Sequence, residues 1–238
     1  MNDEERYSFD LQGFLVRRAV LTAAEVRAVN AEIDAQAYPS PDDTIAGQRF
    51  AGFLGSPSAP VATSLMDHSA VIDVVREVNG PNARLDHSYG IYIAPGTRGC
   101  GCMVAGLRST RRSTTRSARD ASTAVLSVCS GPWAVVEHPA GGGGFCCIPG
   151  SHKANFIRPQ TIDYGNPIIH EVALQAGDVV IFTEAITHGT LAWSQHYERR
   201  SHSSSTRPET RPTTPGSRLT RTDDASASPP WAGTRARP

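Results

Sequence analysis

Apolar and polar positions repeat with two different periods along this chain. Val26, Val29 and Ile33 fall at helical spacing behind Thr22-Ala23-Ala24-Glu25. Those four residues form a capping box: the Thr hydroxyl accepts from the third helical amide, and the Glu reaches back. The pattern predicts a helix over Thr22 to Ala35, closed by Pro39 and Pro41. A second helix is predicted over Ser69 to Val78. It turns Val71, Val74, Val75 and Val78 inward and stops at Gly80-Pro81. Elsewhere the period is two, or the apolar run is short. Tyr7 to Val16, around Gly13, reads as a short strand, and Leu85 to Ile93 as another that ends at Pro95-Gly96. Trp133 to Val136, Phe145 to Ile148, Ile168 to Leu174 and Val179 to Phe182 also read as strands, the last launched by a turn at Gly177-Asp178. Helices first, then short strands joined by Gly and Pro turns, predict a mostly β core with flanking helices. A double-sheet jelly roll is the leading architecture, incomplete where the pattern lapses.

The pattern lapses twice. Residues 107–124 are mostly Arg, Ser, Thr and Ala, with no aromatic side chain. After Arg200 the only large apolar side chains are Leu219 and Trp231. Such a tail cannot offset its own ordering entropy and is expected to be disordered. The chain therefore divides into a folded domain over 1–201, aberrant at 99–132, and a disordered or aberrant tail over 202–238.

Composition narrows the function classes. The formal net charge is zero, so no nucleic-acid partner is implied globally. No apolar run is long enough to span a bilayer. Met1 to Arg6 is acidic and lacks the apolar segment of a signal peptide, so a cytoplasmic protein is expected. The five cysteines, Cys100, Cys102, Cys129, Cys146 and Cys147, do not make a secreted disulfide framework. Their spacing is also wrong for a zinc ribbon. Adjacent Cys146 and Cys147 point to opposite faces of a strand and read as small buried hydrophobes.

The chemistry concentrates in four motifs. They are Gly143-Gly-Phe-Cys-Cys-Ile-Pro-Gly-Ser-His-Lys153, Gly177-Asp-Val-Val-Ile-Phe182, Thr187-His-Gly-Thr190 and Glu198-Arg-Arg-Ser201. Taken alone, His188 reads as a structural histidine and Arg199 as a surface charge, with Arg200 its rival. Taken in order, the motifs resemble the phytanoyl-CoA dioxygenase family, as do Tyr7 to Leu21 and Asp86 to Tyr92. The resemblance covers roughly residues 6–98 and 133–201. It implies a cupin-like double-stranded β-helix that binds iron(II), uses 2-oxoglutarate as cosubstrate and hydroxylates a small organic molecule. It also implies iron held by two histidines and usually one carboxylate. His188 matches the distal metal histidine. Arg199 matches the arginine that pairs with the far carboxylate of 2-oxoglutarate, and Thr190 a hydroxyl that bonds the same group. A planar guanidinium suits a carboxylate because two parallel N–H bonds form at once. Gly189 to Tyr197 is long enough to turn and begin the neighbouring strand, with Arg199 inward and Arg200 pointing the opposite way. His152 and Lys153 sit in a recurrent turn. With His87 and Tyr92 they are candidates for lining the pocket.

The chain departs from the family at the first metal histidine, expected shortly after Pro95-Gly96-Thr97. No histidine lies between His87 and His138, which is too late, and Asp120 is the only carboxylate between Gly96 and Trp133. Codons exist for Gly99 to Ala105 whose shifted frame reads Leu-Arg-Leu-His-Gly-Gly-Gly and continues Pro-Pro-Phe-Asp-Pro-Ala-Gln-Tyr-Tyr. His202 to Glu209 can likewise be re-read as Leu-Leu-Phe-Asn-Ser-Pro-Gly. Residues 99–132 and 202–238 thus read as if out of frame. As written, the chain is expected to lack a complete iron site and iron-dependent turnover. Two other function classes stand beside the oxygenase. One is a non-catalytic small-molecule-binding jelly roll. The other is a nucleic-acid binder using the Arg/Ser stretches, disfavoured because they lack interleaved aromatic residues.

Overall fold

The computed structural model describes residues 1–35, 48–51, 59–97, 128–156, 158–159 and 161–208. Its first element corrects the sequence reading. Asp3–Gln12 is a helix, α1, and strand β1 occupies only Phe14–Arg17. The cause lies upstream of the apolar run. Asn2 accepts from the Glu5 amide at 2.8 Å, and the Glu5 carboxylate accepts from the Asn2 amide at 3.1 Å. This reciprocal cap starts a helix that Gly13, at φ 86°, ends. A side chain at Gly13 would also meet His152 Nδ1 at 2.6 Å.

Helix α2 spans Ala23–Ala35 behind the predicted cap: the Glu25 amide donates to Thr22 Oγ1 at 3.3 Å, and the Thr22 amide to the Glu25 carboxylate at 2.7 Å. Helix α3 is Pro60–Ser64 and α4 is Ser69–Asn79, with Val71, Val74 and Val75 buried as predicted. Among the described residues no helix is long and apolar enough to cross a membrane.

The remaining strands are β2 Gln48–Ala51, β3 Arg84–Ile93, β4 Val128–Ala134, β5 Gly144–Cys147, β6 His170–Glu171, β7 Val179–Thr183, β8 His188–Leu191 and β9 Arg199–Arg207. They form a six-stranded sheet, β1-β7-β4-β9-β3-β2, and a three-stranded sheet, β6-β5-β8. Every pairing is antiparallel. Strand β7 shows how the layers are sorted. Val179 and Ile181 pack with Val29, Ile33, Val71 and Val74 of the helices, whereas Val180 and Phe182 pack with Phe145 and Cys147 of the small sheet. The result is a mostly β jelly roll with helices over the outer face of the large sheet.

Strand β9 alters the predicted domain boundary. The chain does not leave the fold at 202; it continues as a central strand to Arg207, between β4 and β3. Ser201 to Thr206 are all buried. Main-chain pairing on both edges holds this polar segment, and three of its hydroxyls find partners while the Ser201 hydroxyl has none. Ser205 Oγ donates to the Glu184 carboxylate at 2.7 Å, Thr206 Oγ1 donates to the Val128 carbonyl at 2.9 Å, and Ser204 Oγ meets Ser88 Oγ at 2.9 Å. Strand β4 likewise begins at Val128, inside the stretch expected to be aberrant. The rest of both segments, including 107–124, lies outside the described residues.

His202 faces the helices, opposite Trp133 in the β4–β9 register. Burial holds its imidazole far below the usual histidine range, at about 3. Between that value and roughly 6.5, the unfolded chain takes up a proton that the folded chain refuses, so stability falls as the pH drops through the window. Thermal unfolding measured from pH 7 to pH 4.5 is expected to show a shallower loss in His202→Leu than in the parent, by roughly 2 kcal/mol. Equal slopes would mean that His202 titrates normally inside the fold.

Candidate active site

The inner face of the small sheet carries the sequence-predicted histidine. A turn at Thr183–Ile186 brings the chain from β7 into β8, and His188 is the first residue of β8. Its Nδ1 lies 2.9 Å from the Ile186 carbonyl. That bond keeps the ring proton on Nδ1 and the lone pair on Nε2, the tautomer a metal ligand needs. The ring lies 4.8 Å from Phe182 and 6.1 Å from Phe145, centre to centre. In the β5–β8 register His188 stands opposite Cys147, and Thr190 opposite Phe145. His188 and Thr190 therefore share one face.

Arg199 enters from the other sheet. It opens β9 opposite Ile93 and is 1% exposed. Its Nε and Nη1 make no hydrogen bond, and among the described residues no acid pairs with it. Burial pulls the guanidinium down to about 10. Arg200 points the opposite way, as strand alternation requires. It pairs with Asp34 of α2 at 2.7 Å and lies 4.9 Å over the Tyr92 ring. One expectation needs correction: β8 and β9 are not neighbours but belong to different sheets, so the segment between them crosses the sandwich. Buried Trp193 anchors that crossing by donating from Nε1 to the Tyr197 carbonyl at 2.6 Å.

The structure adds His138, which sequence reading had passed over as too late for the first metal histidine. The residue is fully buried, and neither ring nitrogen makes a hydrogen bond. The Arg200 carbonyl approaches the ring without reaching bonding geometry. Burial, then the nearby Arg199 charge, hold this imidazole well below the usual range, so it is neutral. Its backbone is pinned on both sides, with His138 N to Leu174 O and Leu174 N to His138 O each 2.8 Å. Trp193 meets the ring edge-on at 5.5 Å. Arg199 and His138 converge on Gly144. A methyl carbon there would lie 3.4 Å from Arg199 Nε and 3.8 Å from His138 Nδ1. The glycine, at φ 108°, leaves a cradle where a side chain would stand. The one sequence hint was the glycine run Gly141–Gly144, which permits close backbone approach.

Of the four pocket candidates, Tyr92, His152 and Lys153 lie elsewhere. Tyr92 is on the helix side of the large sheet beside Arg200, because its register partner is the outward residue of β9. His152 Nε2 lies 3.0 Å from the Asp10 carbonyl, and Lys153 pairs with the Asp10 carboxylate at 2.6 Å. Both fasten their turn to α1. His87 is exposed, stacks on Tyr89 at 5.6 Å and pairs with Asp86 at 2.8 Å.

The cradle suits a carboxylate, since buried unpaired donors need an acceptor. The metal site is another matter. Among the described residues no group of three His, Cys, Asp or Glu side chains could hold a metal ion. Cys146 and Cys147 are buried and their thiols pushed up to about 12, so they remain protonated.

Fold and site define a jelly-roll protein with a buried cationic cradle at Arg199 and with His188 opening a strand of the small sheet. The chain belongs to the phytanoyl-CoA dioxygenase (PhyH) family, whose model matches residues 9–201. No curated protein matches it in sequence. It is similar in fold to HygX from Streptomyces hygroscopicus, solved with nickel, 2-oxoglutarate and hygromycin B. That likeness has 24% identity and a TM-score of 0.68 over 87% of this chain and 88% of the other. SnoK, a non-heme α-ketoglutarate-dependent carbocyclase from nogalamycin biosynthesis, matches at 17% identity and a TM-score of 0.62, over 87% and 84% of the two chains. AviO1 from Streptomyces viridochromogenes matches at 17% identity and a TM-score of 0.60, over 90% and 98%.

A buried charge that no acid offsets destabilises the ligand-free fold. Arg199→Met keeps the stem and removes the charge. Urea unfolding is expected to show it more stable than the parent by about 1–4 kcal/mol. Arg200→Met, which breaks the Asp34 pair, is expected to show no such gain. A destabilised Arg199→Met would mean that the guanidinium already has a partner.

Proposed function

We propose that this fold is that of an iron(II)- and 2-oxoglutarate-dependent dioxygenase that hydroxylates a small organic substrate in the cytoplasm. The observation that carries the proposal is the Arg199 cradle: a buried guanidinium with unbonded nitrogens beside a glycine gap. Arg199 would hold the far carboxylate of 2-oxoglutarate, and the Thr190 hydroxyl would add a bond. Three residues along β5 separate Cys147, opposite His188, from Gly144, beside Arg199. HygX was solved with 2-oxoglutarate and hygromycin B, which supports a small-molecule substrate here. Iron supplies dioxygen activation in this chemistry, and the described residues offer it His188 alone.

The first metal histidine would come from the stretch that reads as if out of frame, and the third ligand from a later residue or an exogenous anion. Two observations support the frame hypothesis. The family match ends at residue 201, where the second shifted segment begins. The shifted frame also puts Leu at 202 and Phe at 204, two positions that are buried yet polar in this chain. For the chain as written, the incomplete metal site favours the second reading, a jelly roll that binds a small molecule without catalysis.

The test compares this chain with a frame-restored one. Given iron(II), 2-oxoglutarate and ascorbate, the restored chain is expected to form succinate and the chain as written none. In the restored chain Arg199→Ala is expected to raise the 2-oxoglutarate KM ten- to a hundred-fold, because a charge-assisted bond is worth about 1.5–3 kcal/mol. Arg199→Lys should recover only part, and Arg200→Ala should match the parent. A restored chain that binds iron but never consumes 2-oxoglutarate would sink the oxygenase proposal.

A further inference from the structure

His138 has no part in the family resemblance, yet it is the second buried group that faces the cradle without a partner. Its surroundings fix where it points. The Leu174 bridge holds its backbone, the Trp193 edge holds its ring, and Nδ1 is directed at the Gly144 gap. A side chain held this firmly with two unbonded nitrogens is costly unless something bonds it.

The carboxylate itself supplies the reason. Each carboxylate has about four lone-pair sites, and a guanidinium fork fills two of them. In a sealed site the others need donors that water cannot supply. A neutral imidazole always carries one N–H, so it donates without adding a second positive charge beside Arg199. Resting on the 2-oxoglutarate proposal above, we infer that His138 is a second cosubstrate-binding residue, donating a ring N–H to the carboxylate that Arg199 holds.

The test uses the full chain and 2-oxoglutarate without metal, read by calorimetry and by the ring 15N resonances of histidine. His138→Phe keeps a ring against Trp193 and removes both nitrogens, while His138→Asn returns an N–H. His138→Phe is expected to weaken binding about five-fold, the worth of one neutral hydrogen bond. His138→Asn should weaken it less, and Arg199→Ala at least ten-fold. In the parent, the His138 resonances, assigned by their loss in either variant, should move on saturation. If Arg199→Ala weakens binding and His138→Phe does not, the inference falls and the cosubstrate proposal stands. If Arg199→Ala binds as the parent does, or the parent does not bind, both fall. Should His138→Phe fail to fold, the parent's resonances decide: shifts that stay fixed at saturating 2-oxoglutarate overturn the inference.

Discussion

Arg199 carries its charge into the space between the two sheets, and among the described residues no acidic side chain follows it there. Much of the inner architecture can be understood from that constraint. The guanidinium needs room beside Nε, and Gly144 provides it by having no side chain. It needs a dry enclosure, and the Trp193 crossing closes one side. It needs neighbours that do not repel it, and His138 stays neutral. The ligand-free fold therefore carries an electrostatic penalty, which on the proposed function a carboxylate would relieve.

Much of this was legible in the chain, and the parts that were not share a cause. Helices α2 and α4 and strands β3, β5 and β7 followed from local period and punctuation. The opposite directions of Arg199 and Arg200 followed from alternation alone. Helix α1 was misread because Phe9 and Phe14 to Val16 straddle Gly13 as one apolar run, while the cap that decides the matter lies at Asn2 and Glu5. The sheet to which β9 belongs was not legible, since pairing partners are chosen over long sequence distances. His138 gains its position from Leu174 and Trp193, which no spacing rule links to it. Tyr92, His152 and Lys153 lie near motif residues in sequence, but their facing depends on register and on contacts with α1.

Strand β9 shows the limit of compositional reasoning. A run of serines buries little apolar surface, and by that measure it should not order. The calculation omits the slot. A segment between two existing strands satisfies its main chain on both edges, and short hydroxyl side chains reach partners within a residue or two. Its outward positions nonetheless sit in the layer built by Trp133, Val71 and Val74, where larger apolar side chains would add packing. The strand is thus held by its backbone while its side chains contribute little to the core.

The paired cysteines of β5 have a further consequence. Cys146 and Cys147 are fully enclosed on opposite faces of one strand, and their thiols stay protonated through the neutral range. A thiol in that condition is a poor nucleophile, and no reagent reaches it without a local opening of the sheet. Alkylation at this pair therefore reports the free energy of breathing between the two layers of the sandwich. The two side chains make β5 its own gauge of how often the inner space is exposed to solvent.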